Sequence, residues 1–553
     1  MKRFGLTLIA STLAIGLAAC EGDDGKNGSN GTDGTSDVVV ELSHIGRYKS
    51  GKSGVSAAEI VAYDAASKRL FVVNAADVSI DVLNVANPAA PAKVGTIVIP
   101  SGGSANSVAV FNGTVAVAVQ APVKTDNGRV EFYNAATLAK ISEIGAGALP
   151  DMLTFTPDGK AVLVANEGEP NAGYTIDPIG SISVIDLRDG VDKPKVKHID
   201  FTAFDSDAEK AKLLADRVRI YGPAAKVSQD LEPEYIAVSP DGKTAWVTLQ
   251  EANAAAVLNI ADIGNPSITR IKSFGFKDHS IIGNELDASD RDGRIDIRNW
   301  PVKGMYQPDA IAAYSFNGKN YYVTANEGDD RNDFITGEET KRLGHASIIL
   351  DPDIFPTAAA LKDNAALGRL TITTFGAKKK EGTGELMGRD GTLQEILVLG
   401  GRSFSIWDES GSQVYDSGSD FERITAKANP QFFNASNDNN NFDDRSDNKG
   451  PEPEGVALGK IGGRTFAFIG LERVGGVTVY DVSNPRSARF VQYINTRDFT
   501  KPTTDEAGDT GPEGVTFIPA SGSPNSKPML AVGNEVSGTT SLFQIDVVEL
   551  KNN

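Results

Sequence analysis

Carboxylates recur in this 553-residue chain at two fixed places in a repeated unit. A proline followed by an acid opens a short apolar run at Pro150-Asp151, Pro233-Glu234, Pro308-Asp309, Pro453-Glu454 and Pro512-Glu513, and Ala58-Glu59 and Asn106-Ser107 open degenerate copies. A second acid closes each well-formed copy, at Glu167, Glu251, Glu327, Glu472 and Glu535. Midway between the two acids lie the turn pairs Asp158-Gly159, Asp241-Gly242, Asn317-Gly318 and Gly462-Gly463, the signature of hairpin loops. Residues equidistant from such a turn face each other across antiparallel strands. Each unit is therefore expected to bring two carboxylates together at one end of its first hairpin. Like charges held together repel and raise one another's pKa, and a hard cation relieves them. Calcium suits the task because it takes several carboxylate oxygens in flexible geometry. The expected metal ligands are Asp151, Glu167, Glu234, Glu251, Asp309, Glu327, Glu454, Glu472, Glu513 and Glu535. Bonding to backbone N–H groups of neighbouring units is the competing role for these acids, and the two roles are compatible.

Two arginines, Arg331 and Arg473, stand just past repeat acids and are candidates to hold a phosphate or carboxylate beside a metal; pairing with the acids is the alternative. A second acidic loop, Asp287-Ala-Ser-Asp290-Arg-Asp292-Gly-Arg-Ile-Asp296, has the alternating acids and glycine of a calcium loop without the closing Glu of an EF-hand. Its four aspartates form a second candidate metal set. Other chemistries lack their signals. The four histidines, His44, His198, His279 and His345, are scattered, with no zinc spacing. No G-x-S-x-G elbow is present. Gly46 to Ser53 matches a P-loop string, but the strand-like run Glu59-Ile-Val-Ala-Tyr63 follows it rather than a helix that would hold phosphate.

The elements that must position these acids are strands. Unit openings near residues 59, 107 and 151 are spaced like four-stranded propeller blades, and the wider later gaps must hold insertions. The sequence predicts an all-β chain: a single β-propeller over residues 38–553 with loop and short helical insertions. One helix is expected over Asp205 to Val218, with Ala208, Ala211, Leu214, Ala215 and Val218 on its buried face. Another is expected within Ile354 to Leu367. The strand pair Ile396–Leu399 and Ser403–Trp407 either finishes the fifth blade or makes an eighth, and seven blades are preferred. Strands near Val38–Leu42 and Ser541–Ile545 are expected to share one blade and close the ring. Asn434 to Lys449 reads as a loop without a core pattern.

Composition narrows the partners. Lys+Arg total 54 against 73 Asp+Glu, a net charge of −19. That balance opposes nucleic acid and favours cations. Met1-Lys2-Arg3, the apolar run Phe4 to Leu17 and Leu17-Ala-Ala-Cys20 resemble a bacterial lipoprotein leader over residues 1–19. Cys20, the single cysteine, would be lipidated and followed to residue 37 by a glycine-rich tether. Glu21 favours the outer membrane, with the protein anchored there, facing the periplasm or the outside, and monomeric.

Several strings resemble the choice-of-anchor I family of bacterial surface and secreted proteins: Gln229-Asp-Leu-Glu-Pro-Glu-Tyr-Ile-Ala237, the Asp287–Gly293 run, Met305-Tyr-Gln-Pro-Asp-Ala-Ile311, Val323-Thr-Ala-Asn-Glu-Gly-Asp329 and Gly450-Pro-Glu-Pro-Glu-Gly455. The resemblance implies a β-propeller carried on a surface anchor. Some members are labelled alkaline phosphatase, and the fold is similar to phytase-like, calcium-dependent phosphatase propellers. The resemblance therefore leaves two expectations open: an anchored module that binds a divalent cation, calcium, and presents a ligand-binding face, or a metal-dependent phosphoesterase.

Overall fold

The computed structural model describes residues 38–99, 103–223, 225–335 and 339–549. Cys20, the leader and the tether lie outside them. The chain is all-β with few helices, arranged as in a β-propeller. Among the described residues there are seven four-stranded antiparallel sheets, each in simple up-and-down order from an inner to an outer strand. The inner strands are Val61–Asp64, Ser104–Phe111, Pro150–Phe155, Ile236–Val238, Ile311–Phe316, Pro453–Ile461 and Pro512–Ile518. Each touches the inner strand of the next sheet, and Pro512–Ile518 touches Val61–Asp64, so the contacts run in a cycle. The chain ends meet in one sheet. Val38–Lys49 pairs with Thr539–Glu549, from Val38 opposite Glu549 to Lys49 opposite Thr539.

Burial follows position in the sheet. The second strand Ala161–Asn166 is buried at every residue, because neighbouring sheets cover both its faces. That explains its unbroken apolar run Ala-Val-Leu-Val-Ala, where a half-exposed strand would alternate. The outer strand Lys195–Asp200 is polar and partly exposed, which protects an open edge from further pairing. At the turn between inner and second strands, Asn317 and Gly318 both have positive φ, 50° and 74°. This is the mirror-image two-residue turn that Asn-Gly favours.

In antiparallel sheets the start of the inner strand and the end of the second strand lie at one end. The connections 167–180, 201–235, 274–310, 327–402, 417–452 and 495–511 all leave from that end. At the other end the longest is 519–528. Insertions therefore crowd the face that carries the acids. The largest build a five-stranded sheet of Phe276–Asp278, Lys303–Met305, Leu397–Val398, Thr371–Thr373 and Thr340–Arg342, with its own core around Trp300, Val302, Leu367, Leu370 and Ile372.

Three local expectations change. Leu397–Val398 joins that inserted sheet, whereas Ser403–Asp408 is the third strand beside Lys319–Asn326; the two are not a hairpin and form no further four-stranded sheet. The first helix is Asp207–Ala215, capped by the Ser206 hydroxyl, which accepts from Glu209 N. Its buried residue is Leu213, while Ala208, Ala211 and Ala215 are exposed, because alanines gain little by burial and the larger side chain turns to the core. Within Ile354 to Leu367 only Ala358–Leu361 is helical.

Candidate functional site

The acids are aimed by a repeated backbone device. The residue before the Pro-acid pair has positive φ in four sheets: Leu149 at 48°, Gln307 at 38°, Glu452 at 51° and Gly511 at 71°. Proline discourages the helical region for the residue before it, and outliers of this kind persist where surrounding structure fixes them. Here the same carbonyls accept from the second strand: from Glu167 N to Leu149 at 2.9 Å, Gly328 N to Gln307 at 3.0 Å, Glu472 N to Glu452 at 2.8 Å and Glu535 N to Gly511 at 2.8 Å. The ladder is irregular between Pro150 and Leu153, Pro453 and Val456, and Pro512 and Val515. The paired residues are Pro150 with Asn166 and Pro512 with Asn534. Asp151, Glu454 and Glu513 therefore sit in bulges rather than directly opposite Glu167, Glu472 and Glu535. The asparagine before the second acid is a further positioning group that sequence reasoning passed over. Asn166 Nδ2 donates to Ser183 Oγ at 2.9 Å, Asn326 Nδ2 to Ser405 Oγ at 2.8 Å and Asn534 Nδ2 to Thr539 Oγ1 at 3.2 Å, all buried. The signal was present in the strings Ala-Asn-Glu and Gly-Asn-Glu.

The carboxylates of different sheets converge. A cavity of about 50 Å³ is lined by Asp151, Asp309 and Glu513, with Ile60, Asn106, Tyr235 and Gly455 from the other four sheets. Burial and then Glu251, Asp309 and Glu167 push the Glu234 carboxyl well above the usual range. Burial, Glu327 and Asp151 do the same to Asp309. Burial, Glu472, Glu327 and Glu513 do it to Glu454, and burial, Asp151 and Glu169 to Glu167. Asp151 is pushed up to about 7 by burial and Glu169. One carboxylate oxygen on each of Glu234, Glu454 and Glu513 is buried and accepts no hydrogen bond. Beyond Tyr235 and Met152 the channel widens to about 360 Å³ among Val61, Val108, Leu153 and Phe517. It is polar at the acid end and apolar at the other.

Among the described residues, two groups of three carboxylates have oxygens within 4.8 Å of one another: Glu327, Glu452 and Glu472, and Glu59, Glu513 and Glu535. They differ in what neutralises them. The first encloses Lys449, whose Nζ lies 2.7 Å from Glu327 and 3.0 Å from Glu452. Arg473 adds bonds of 3.0 Å to both Glu452 and Glu472, and Arg445 pairs with Glu452. Burial works against the Lys449 ammonium, but Glu327, Glu452, Asp329 and Glu472 outweigh it and hold its pKa well above normal. Here the protein supplies its own cation, so Glu327 and Glu472, expected as metal ligands, serve an internal ion-pair network. No ion pair among the described residues reaches the second group; Ser56 Oγ donates to Glu535 at 3.3 Å, and Arg473 acts on Glu535 through its charge without pairing with it. Burial, then Glu535 and Asp151, push Glu59 up to about 8, and burial, Glu59 and Glu535 push Glu513 well above its usual value. Glu59 lay in a degenerate copy of the repeat and was not singled out as a ligand.

Arg331 is fully buried. Its Nη1 donates to Asp230 at 2.6 Å, its Nη2 lies 2.9 Å from Glu232, and its guanidinium stacks on Tyr221 at 4.8 Å. Glu251 Oε2 is 4.0 Å away. Arg331 and Arg473, expected to hold an anion, are both paired with protein acids, the buried Arg331 with Asp230 and Glu232 and the partly exposed Arg473 with Glu452 and Glu472. In the second acidic loop Asp290 pairs with Arg369 and Asp296 with Arg294 and Arg298, while Asp287 and Asp292 turn inward.

The sequence model of the choice-of-anchor I domain matches residues 59–485. Gigasin-3a of Magallana gigas is 32% identical over 199 residues, 34% of this chain and 67% of that protein. The mesenchyme-specific cell surface glycoprotein of Strongylocentrotus purpuratus is 26% identical over 326 residues, 52% of this chain and 40% of that protein. Among solved structures, Kuenenia stuttgartiensis hydrazine synthase aligns over 92% of this chain and 100% of its own, at 15% identity and a TM-score of 0.43. The Cps50 (Swd1) β-propeller domain of Myceliophteria thermophila aligns over 92% and 99%, at 7% identity and a TM-score of 0.40. No helix among the described residues is long and apolar enough to cross a membrane.

Proposed function

Because this chain belongs to the choice-of-anchor I family, we propose that it is a surface-displayed, seven-bladed β-propeller that holds calcium in its acidic channel mouth and presents a ligand-binding face there. The cycle of inner-strand contacts supports the blade count. The lipobox-like Leu17-Ala-Ala-Cys20 supports an outer-membrane lipid anchor, in keeping with a relative whose name places it on the cell surface.

One observation carries the cation. Two carboxylate triads stand at the same end of the molecule; one is filled by the Lys449 ammonium, and Glu59, Glu513 and Glu535 have no such partner. Three half-buried carboxylates held together without an ion-pair partner repel one another, and an oxygen-seeking divalent ion relieves them. When bound, calcium would supply a Lewis-acidic centre with room for a ligand's oxygen. The chain's own residues aim the carboxylates, and Glu327, Lys449 and Glu452 of the neighbouring connections make up the filled triad beside them.

Calcium titration of the full chain by calorimetry tests the reading. Glu513→Gln should weaken one equivalent of calcium by about 10- to 100-fold, since a hydrogen bond or contact to a charged group contributes about 1.5–3 kcal/mol. Unchanged binding in that variant would remove the mouth as the site. Turnover of a phosphomonoester that vanishes on chelation would instead assign hydrolysis.

A further inference from the structure

The central channel has a wide chamber that neither carboxylate triad uses. It holds about 360 Å³ and is walled by the inner strands of four sheets, through Val61, Val108, Leu153 and Phe517. Ala65, Pro519 and Gly522 line it too, and they stand on the short connections at the end of the sheets away from the acids. The chamber therefore opens on the face opposite the insertions. Tyr63 steadies that rim, its hydroxyl donating to the Gly522 carbonyl at 2.9 Å.

At its inner end the chamber meets the acid cavity of about 50 Å³. Ile60, Ser107, Met152 and Tyr235 line both spaces, so one continuous passage runs from apolar walls to Asp151, Asp309 and Glu513. The change of polarity has a local cause. Pro150 pairs with Asn166 and Leu153 with Val164, so Asp151 and Met152 together oppose the single residue Ala165. Such a bulge re-aims its side chains, here into the channel.

The acids at the end of the passage lack a partner. No ion pair among the described residues reaches Asp151, Asp309 or Glu513; Lys449 acts on Asp309 through its charge without pairing with it. Glu513 Oε2 is buried and accepts no hydrogen bond. The three are not among the carboxylates whose oxygens lie within 4.8 Å of one another, so they surround a space instead of closing on a bare ion. That space has room for about one or two water-sized groups. A primary ammonium matches it, and a trimethylammonium exceeds it. The chain's net charge of −19 also draws cations. Apolar walls leading to uncompensated acids are complementary to an apolar body that ends in a compact cation.

We propose that the channel binds a primary alkylammonium, with its alkyl body in the wide chamber and its ammonium beyond Tyr235 among Asp151, Asp309 and Glu513. Burial of the body supplies affinity, and the charge fixes which end enters first. Asp151 and Asp309 belong to neither triad, so this site does not need calcium at Glu59, Glu513 and Glu535.

Calorimetric titration of the full chain with n-alkylamines in EGTA tests the site apart from the calcium reading. Affinity should rise about fourfold per methylene from butylamine to octylamine, the fold-change of one buried CH₂. Octanol, with the same body and no charge, should bind at least about tenfold more weakly than octylamine, and octyltrimethylammonium, with an oversized head, should do the same. Asp309→Asn should weaken octylamine by about tenfold or more and leave octanol unchanged. Val110→Trp, at a half-buried position of the chamber wall, should block octylamine and octanol alike. Thr154→Trp, on the adjoining inner strand and also half-buried, is the second variant if Val110→Trp does not fold. Octylamine without saturable binding overturns the proposal. So does octylamine binding that octanol or octyltrimethylammonium equals, or that Asp309→Asn or both tryptophan variants leave unchanged. None of these outcomes touches the calcium site, which its own titration decides.

Discussion

Lys449 is the perturbation that most sharply separates a lysine-filled triad from a cation-seeking one. Lys449 is 7% exposed, and its ammonium donates to Glu327 at 2.7 Å and to the Gly328 carbonyl and lies 3.0 Å from Glu452. Lys449→Met keeps the stem and removes the charge. Arg445 and Arg473 still neutralise Glu452, but Glu327 loses its only ion pair among the described residues. Breaking a buried pair from one side costs about 3–5 kcal/mol, and that loss is expected in urea unfolding of the chelated protein. The vacated triad, with oxygens within 4.8 Å of one another, then becomes a cation site like the second one. Free calcium at about a hundred times its Kd for that site should restore about 2.7 kcal/mol. The wild type should show no calcium gain attributable to this triad. A chelated Lys449→Met protein that loses less than about 1 kcal/mol, the range of an exposed pair, would refute the reasoning, as would a loss that calcium leaves untouched.

Two further outcomes follow from the same electrostatics. In chelated protein, folded Glu59 keeps its proton up to about pH 8, whereas the unfolded chain releases it near the ordinary carboxylate value. The folded state therefore binds more protons between those points, and its stability falls as pH rises through that window, by about 1.4 kcal/mol per pH unit for each such group. From pH 6 to pH 8 the EGTA-treated protein should lose about 1–3 kcal/mol on this slope, and saturating calcium should flatten it, since metal binding holds the ligands deprotonated. Urea midpoints that stay level or rise with pH in EGTA would contradict this. Arg331→Met should cost about 3–5 kcal/mol by leaving Asp230 and Glu232 buried and unpaired, with calcium affinity of the mouth unchanged. A variant of wild-type stability would mean the arginine is not the clamp its bonds describe.

The strand framework was legible because its signals are local. Hairpin turns, apolar second strands such as Ala161–Asn166 and the recurring Pro-acid pairs each act within a few residues, and the joining of the chain ends in one sheet follows from the cost of an open edge. The site was legible only by residue type. Symmetry about a turn places Asp151 opposite Glu167, but the bulge after Pro150 breaks that symmetry, and bulges leave no composition signal. Charge compensation was invisible for another reason. Lys449 reaches Glu327 across 122 residues and Arg331 reaches Asp230 across 101, so no window of sequence distinguishes the filled triad from the unfilled one. Glu59 was overlooked because its copy of the repeat lacks the proline. The burial of Asp443 was overlooked because an Asn/Asp-rich loop reads as solvated, whereas here it is folded into the interior.

The most direct measurement of the central claim is an anomalous-difference map from crystals of this protein grown with calcium. The account predicts a peak bounded by the carboxylates of Glu59, Glu513 and Glu535, and none at Lys449. A channel mouth without a peak at saturating calcium, or with the three side chains turned away from one another, would contradict it.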